Sequence, residues 1–429
     1  VVMFALLYTL ILVPIAFSYL PPLTVKTVKD SGFIHRMLVG TADLAWKHHR
    51  PVVIVTVLIG LIAALGIPRT EVGADFQAYF HDDDPVGVDA RFVDQHLGGT
   101  ITIEVVAEAD DVRQPEVLRA MERARVYLQE NPAVGTAMGS EQLVRTLNER
   151  YMGDPEAYVI PDTLPRSAQL LELIIGDEIY RDYFSTDARI GRLSARVNGS
   201  EYRQLGEHSE EIEAYVVGQF DGLARAEMTG LGKLILNLDS YILSSQIRSI
   251  LVAFITIGLM ICLMFRSLRF GFYALIPNAT PLLIIVGAMG WLRISLDVAT
   301  VMIGSIMLGL IVDDTVHFLA RLRLEERAAK AEGRNWDLRT PLYASGVGTG
   351  RALLTTSIIL AAAFWTNLAA SFKVNQNFGL LSGIAVCLAL VCDLLVLPAV
   401  IRWLPLRKEV VFKAEETSRS TAADTATEL

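Results

Sequence analysis

Cysteine is nearly absent. Three occur in 429 residues, and Cys262, Cys387 and Cys392 all lie in apolar runs. Disulfide stapling and a cysteine-ligated metal therefore have no support. Charge is scarce too, at 20% of residues, while the mean hydropathy is +0.41. That combination excludes a disordered chain and argues against a soluble enzyme. No Gly-x-x-x-x-Gly-Lys-Ser/Thr stretch occurs, so nucleotide hydrolysis is not indicated as an energy source. Gly346, Gly348 and Gly350 precede Arg351 and an apolar run rather than a phosphate-loop lysine, and they read as close helix packing.

What is present is an acidic block inside an apolar, basic frame. The net charge of −9 conceals a split: residues 68–245 hold 16 Lys and Arg against 32 Asp and Glu, and the remainder holds 22 against 15. This is the layout of a membrane protein with one large external domain. A spanning helix needs about 20 mainly apolar residues. Uncharged runs of that kind cover residues 1–25, 51–68, 249–265, 270–292 and 352–372. Two more runs contain acids: 298–320 with Asp313 and Asp314, and 374–401 with Asp393. Seven crossings result. Lys and Arg collect in alternate loops, between the first two runs, at Arg266 and Arg269, at 321–339 and after 401. Basic loops mark the cytoplasmic side, so the acidic block faces outward.

Two runs share a pattern. Leu10-Ile11-Leu12-Val13-Pro14 with Leu20-Pro21 echoes Leu394-Leu395-Val396-Leu397-Pro398 with Leu404-Pro405 at a constant offset of 384. Repeated halves are a common transporter design. The expected organisation is a last helix of a missing first half at 1–20, a cytoplasmic linker at 21–45 and a transmembrane helix at 46–68. The external α/β domain follows at 69–245, then a five-helix bundle at 246–404 with a cytoplasmic surface helix at 321–340, and a disordered cytoplasmic tail at 405–429.

Within the block, Thr100 to Val106 is β-rich and follows Gly98-Gly99, and residues 115–130 show helical periodicity ending at Asn131-Pro132. A second cycle reads as strand at 189–197, helix at 202–220 and strand at 224–228. Strand–helix–strand twice over suggests split βαβ units. The middle, 135–186, reads as helical and loop-rich. Its surplus of Tyr151, Tyr158, Leu170, Leu173 and Ile174 is either core or the wall of a substrate cavity. Residues 231–246 read as a helix continuing into the next span.

The most informative stretch is Gly309-Leu310-Ile311-Val312-Asp313-Asp314-Thr315-Val316-His317. Two carboxylates inside an apolar span are costly by insertion scales, and such groups normally face a bundle interior or water. Asp313 and His317 are four apart and share a helix face, with Asp314 about 100° away. Asp313 precedes Arg321 by eight residues, about 12 Å of helix, which argues against simple snorkelling at the surface. Thr355 and Thr356 either hydrogen-bond the acids or back-bond to the preceding turn. Asp393 is either a second titrating site or an acid near the interface.

Here the sequence resembles the RND superfamily, closest to its MMPL-like and hopanoid- or sterol-lipid exporter branches, with Patched and Dispatched as distant relatives. Gly309, Asp313 and Asp314, followed by His317 and Arg321, resemble the family's fourth-helix motif, and Phe92-Val93-Asp94-Gln95-His96-Leu97-Gly98-Gly99-Thr100 resembles the opening of its porter domain. The order of elements, one span, a large external domain and then five spans, is similar as well. The resemblance implies a polytopic α-helical membrane protein with an inserted α+β porter-type domain, in a bacterial inner membrane with that domain in the periplasm. It implies a secondary active exporter of a hydrophobic or lipid-like substrate, not an enzyme. Asp313 and Asp314 would form the ion-coupling relay, supported by His317, Gly309, Thr355, Thr356 and Asp393. The expected coupling ion is H⁺ or Na⁺, with no other cofactor and no metal. Expected partners are the bilayer, the N-terminal half of the same protein, and a periplasmic carrier protein or further copies of the chain, with no nucleic acid. A Patched-like lipid-sensing receptor and a SecD/SecF-like translocation motor are the competing functions on the same fold.

Overall fold

The computed structural model of the chain describes residues 2–19, 32–70, 79–199, 201–331 and 338–404. The expected tail at 405–429, part of the expected linker and residues 332–337 of the expected surface helix lie outside the described residues.

The chain begins with an apolar helix, α1 (Val2–Tyr19), whose described side chains are exposed. Next comes α2 (Phe33–Lys47), which occupies most of the stretch expected to be linker. Its Leu38, Ala42 and Ala45 are buried because they recur at helical spacing and face other helices. α3 (His49–Gly66) then leads toward the α+β block.

That block contains α4 (Pro85–Leu97), β1 (Ile101–Glu108), α5 (Pro115–Gln129), β2 (Val134–Gly139), α6 (Ser140–Met152), α7 (Leu164–Glu172) and α8 (Glu178–Tyr183). β3 (Ile190–Val197), α9 (Tyr202–Glu207), α10 (Ser209–Gly218) and β4 (Arg225–Thr229) complete it. The sheet order is β2-β3-β1-β4 with every neighbouring pair antiparallel, so each strand–helix–strand unit takes a strand of the other between its own two. This is the split βαβ arrangement. Alternate residues of β1, Ile101, Ile103, Val105 and Ala107, face a core shared with Met121 and Leu128 of α5 and with Ile212 and Val216 of α10. Two details differ from the sequence reading. β2 lies in the middle segment read as helical and loop-rich, and the helix expected over 202–220 is broken at His208. β2 escaped notice because Val-Gly-Thr-Ala-Met-Gly carries two glycines and little alternation.

At Gly230 the chain turns from β4 into α11 (Gly230–Phe265), with φ at +95°. Only glycine takes that conformation without strain, and an added Cβ would also lie 2.9 Å from the Glu104 backbone nitrogen. The remaining helices are α12 (Leu268–Leu292), α13 (Val298–Ala331), α14 (Arg339–Trp365), α15 (Lys373–Val391), a π-helical turn (Cys392–Val396) and α16 (Leu397–Trp403). Among the described residues, six helical stretches are long and apolar enough to cross a membrane: His49–Arg69, Gly230–Phe265, Leu268–Leu292, Val298–Ala328, Arg339–Ala369 and Lys373–Trp403. They coincide with six of the seven expected crossings. The seventh, in α1, counts as a shorter apolar helix over Leu7–Tyr19.

Close helix crossings depend on glycine. A Cβ on Gly290 would lie 1.9 Å from the Gly66 carbonyl oxygen, and one on Gly287 would lie 2.1 Å from that of Ala63, so α12 and α3 touch backbone to backbone. The bundle also grips the block at its start. Tyr79 and Phe80 pack edge-on against Phe372, and the Lys373 backbone N–H donates to the Tyr79 carbonyl at 3.0 Å.

Candidate functional site

α13 carries the two acids. Ile311, Val312, Thr315, Phe318 and Leu319 turn inward and are buried, which leaves Asp313 and His317 on the open side. The Asp313 carboxylate lies 3.4 Å from His317 Nε2, one helical turn away, and these side chains are 73% and 64% exposed. Asp314 is half-buried beside Ser357 of α14. Between α13 and α14 runs a cleft of about 790 Å³. Gly309, Asp313, Asp314 and His317 line one side of it, and Thr349, Leu353 and Thr356 are on the other. Gly309 borders the open space of the cleft, with no atom of the described residues within 4 Å of where a Cβ would stand. An anionic pair with an adjacent imidazole in an open cleft can bind a cation or exchange a proton.

The supporting residues separate into three groups. Thr356 lines the cleft, yet its hydroxyl donates to the Ala352 and Leu353 carbonyls at 3.1 and 3.0 Å. Thr355 is exposed and donates to the Arg351 carbonyl at 2.9 Å. Both threonines therefore make the local back-bond and not a bond to the acids. Asp393 stands apart from the cleft, at 0% exposure in the π-helical turn. Thr315 Oγ1 donates to its Oδ1 at 2.6 Å, which places Asp393 level with the acids of α13. Thr315 in turn lies 3.3 Å from Asn278 Oδ1 on α12. Thr315 and Asn278 were missed in the sequence, whereas Ser357 was read there as a supporting polar group on the next helix. The available signal for Asn278 was a lone amide in an apolar span, between Pro277 and Pro281.

The five residues named for a substrate cavity do not converge. Leu170 is buried and Ile174 packs against a small core of Val117, Leu118, Val144 and Leu171. The Arg166 guanidinium covers Tyr151 and that of Arg145 covers Tyr158, while Leu173 is exposed. A cleft in the block lies elsewhere, on the sheet face opposite α5 and α10, with about 350 Å³ lined by Thr136, Met138, Asp182, Tyr183, Arg192, Ser194 and Arg196.

Among the described residues, six helices long and apolar enough to span, two acids facing a cleft between two of them and a split βαβ block mark a polytopic membrane protein. The comparison with known families agrees: the MMPL family model matches residues 108–420, and the chain belongs to the MMPL family of RND-like membrane transporters. A Methanocaldococcus jannaschii protein, whose name says only that it is thought to be a membrane protein, is 22% identical over 369 residues. That match covers 83% of this chain and 91% of the relative.

Proposed function

We propose that the protein is an ion-driven exporter of a neutral, hydrophobic or lipid-like molecule, with Asp313 and Asp314 as the coupling site. One observation carries this reading: the two acids interrupt an otherwise apolar span and line a cleft beside His317. Carboxylates in a span are expensive, and ion pathways are the usual reason to keep them. The acidic α+β block faces outward, into the periplasm of a bacterial inner membrane, and passes the substrate on. Its net negative charge disfavours anionic substrates, which leaves sterols, hopanoids and acyl conjugates as the preferred class. α11 supports transmission between site and block, because it runs unbroken from β4 into the bundle and its Gln246 amide donates to Ser305 of α13. The open side of the Asp313 cleft is closed by a second unit like this one, either a preceding half of the same polypeptide or another copy of the chain.

Gradient-driven transport in reconstituted vesicles tests the reading. Lipid substrates are offered with an imposed H⁺ or Na⁺ gradient, in wild type and in Asp313→Asn/Asp314→Asn. Uptake at wild-type rate in the double variant would sink it.

A further inference from the structure

The hydrogen atoms around Asp393 can be counted. Asn278 Nδ2 donates to the Ala274 carbonyl at 2.7 Å, which orients the amide and turns its Oδ1, an acceptor, toward Thr315 at 3.3 Å. Thr315 Oγ1 stands 2.6 Å from Asp393 Oδ1 and 3.4 Å from the Ile311 carbonyl. A threonine hydroxyl has one proton. With Asp393 ionised, three acceptors compete for that proton, and the buried Oδ2 of Asp393 has no partner among the described residues. With a proton on Asp393, the chain closes: the carboxyl O–H donates to Thr315 Oγ1, and the Thr315 hydroxyl donates to Asn278 Oδ1. Burial points the same way, since a fully desolvated carboxylate without a counter-charge is disfavoured. The surroundings supply no such counter-charge among the described residues. α13 brings the negative Asp314, one residue before Thr315, the Cys392 thiol adjoins in the chain, and α2 contributes the apolar Leu38. Asp393 also sits in the π-helical turn, a widened helix form that concentrates at functional sites.

We propose that Asp393, Thr315 and Asn278 form a proton-holding site inside the helix bundle, distinct from the open cleft of Asp313 and Asp314. The site takes a proton and not Na⁺. It deepens the coupling reading, on which it rests for a role in transport, by adding a second ion position that water does not reach in this conformation.

Infrared spectra of the full chain in lipid vesicles at neutral pH test the assignment. Asp393→Asn is expected to remove one carboxylic-acid C=O band, and Thr315→Val is expected to shift that band's frequency. Should Asp393→Asn fail to fold, the Thr315→Val shift alone reads the site. No band lost on Asp393→Asn, or none moved by Thr315→Val, overturns the assignment. A band that disappears when Na⁺ replaces K⁺ also overturns it and would make the site a sodium site. Asp313→Asn/Asp314→Asn keeps the band whether or not it transports, so failure of the coupling reading and failure of this one are separate results.

Discussion

Asp393 in the bundle and Glu141 in the α+β block are both fully buried, and each has a carboxyl oxygen without a partner among the described residues. Their surroundings differ. Glu141 accepts from Arg125 Nε at 2.7 Å and fills the space left by the missing side chain of Gly139, tying α6 to α5. Asp393 is held by a hydroxyl and, through it, an amide. The block sets the Arg125 guanidinium beside its acid, whereas the bundle interior surrounds its acid with uncharged groups. One buried acid ties two helices of the α+β block together, and the other joins α13 to the π-helical turn through uncharged groups. A third setting is that of Asp313, whose side chain is 73% exposed and lines the open cleft.

The largest expected effect falls on the open acids. Asp313→Asn/Asp314→Asn abolishes gradient-driven transport while the thermal midpoint in detergent changes little, because neither residue supports the core. A collapse of the fold would place these acids with Glu141 instead. Next is the helix crossing that positions them. Gly290→Leu forces α12 from α3, and since overpacking alone costs about 1–3 kcal/mol, the bundle's unfolding midpoint drops markedly; an unchanged midpoint would mean that the backbone contact is dispensable.

Glu141 sharpens the comparison through pH. Burial is the largest influence on its carboxyl and pushes it up to about 7, against 4.5 as the ordinary value, with Arg125 pulling in the other direction. The folded block therefore keeps a proton that the unfolded chain releases. Stability is greatest below about pH 4.5 and falls as pH rises toward about 7, by about 3 kcal/mol for this group. Denaturant titrations from pH 5 to 8 should show that slope in wild type and lose it in Glu141→Gln. The smallest effects test the apolar middle segment. Leu171→Ala should cost about 2–5 kcal/mol, as for other filled core sites. Leu173→Ala, at 62% exposure, should stay within about 0.5 kcal/mol unless Leu173 meets substrate or a partner.

Much of the architecture was legible in the chain. Six crossings were visible because a membrane span requires an uninterrupted apolar run, and runs of that length rarely arise in a protein that stays in water. β1, α5, β3 and β4 showed their own periodicities, so the split βαβ order could be read from them. The Asp-Asp pair announced itself by being misplaced in its span. α2 did not, since its short alternating stretch resembled a linker until its Leu38 face was seen against Leu353 and Leu394.

The sequence by itself determined which helices span, which segment is acidic and where charge interrupts an apolar helix. These are properties of chain neighbours, set by transfer free energies and backbone periodicity. Only the tertiary structure decided which polar groups meet. Asp393 and Thr315 are joined across 78 positions, and Thr315 and Asn278 across 37. It also decided that Thr355 and Thr356 turn to their own backbone and that Leu170 is core while Leu173 is surface. A hydrogen bond depends on angstroms of distance between helices, and helix packing sets that distance through contacts such as Gly290 on Gly66. No local pattern along the chain encodes it.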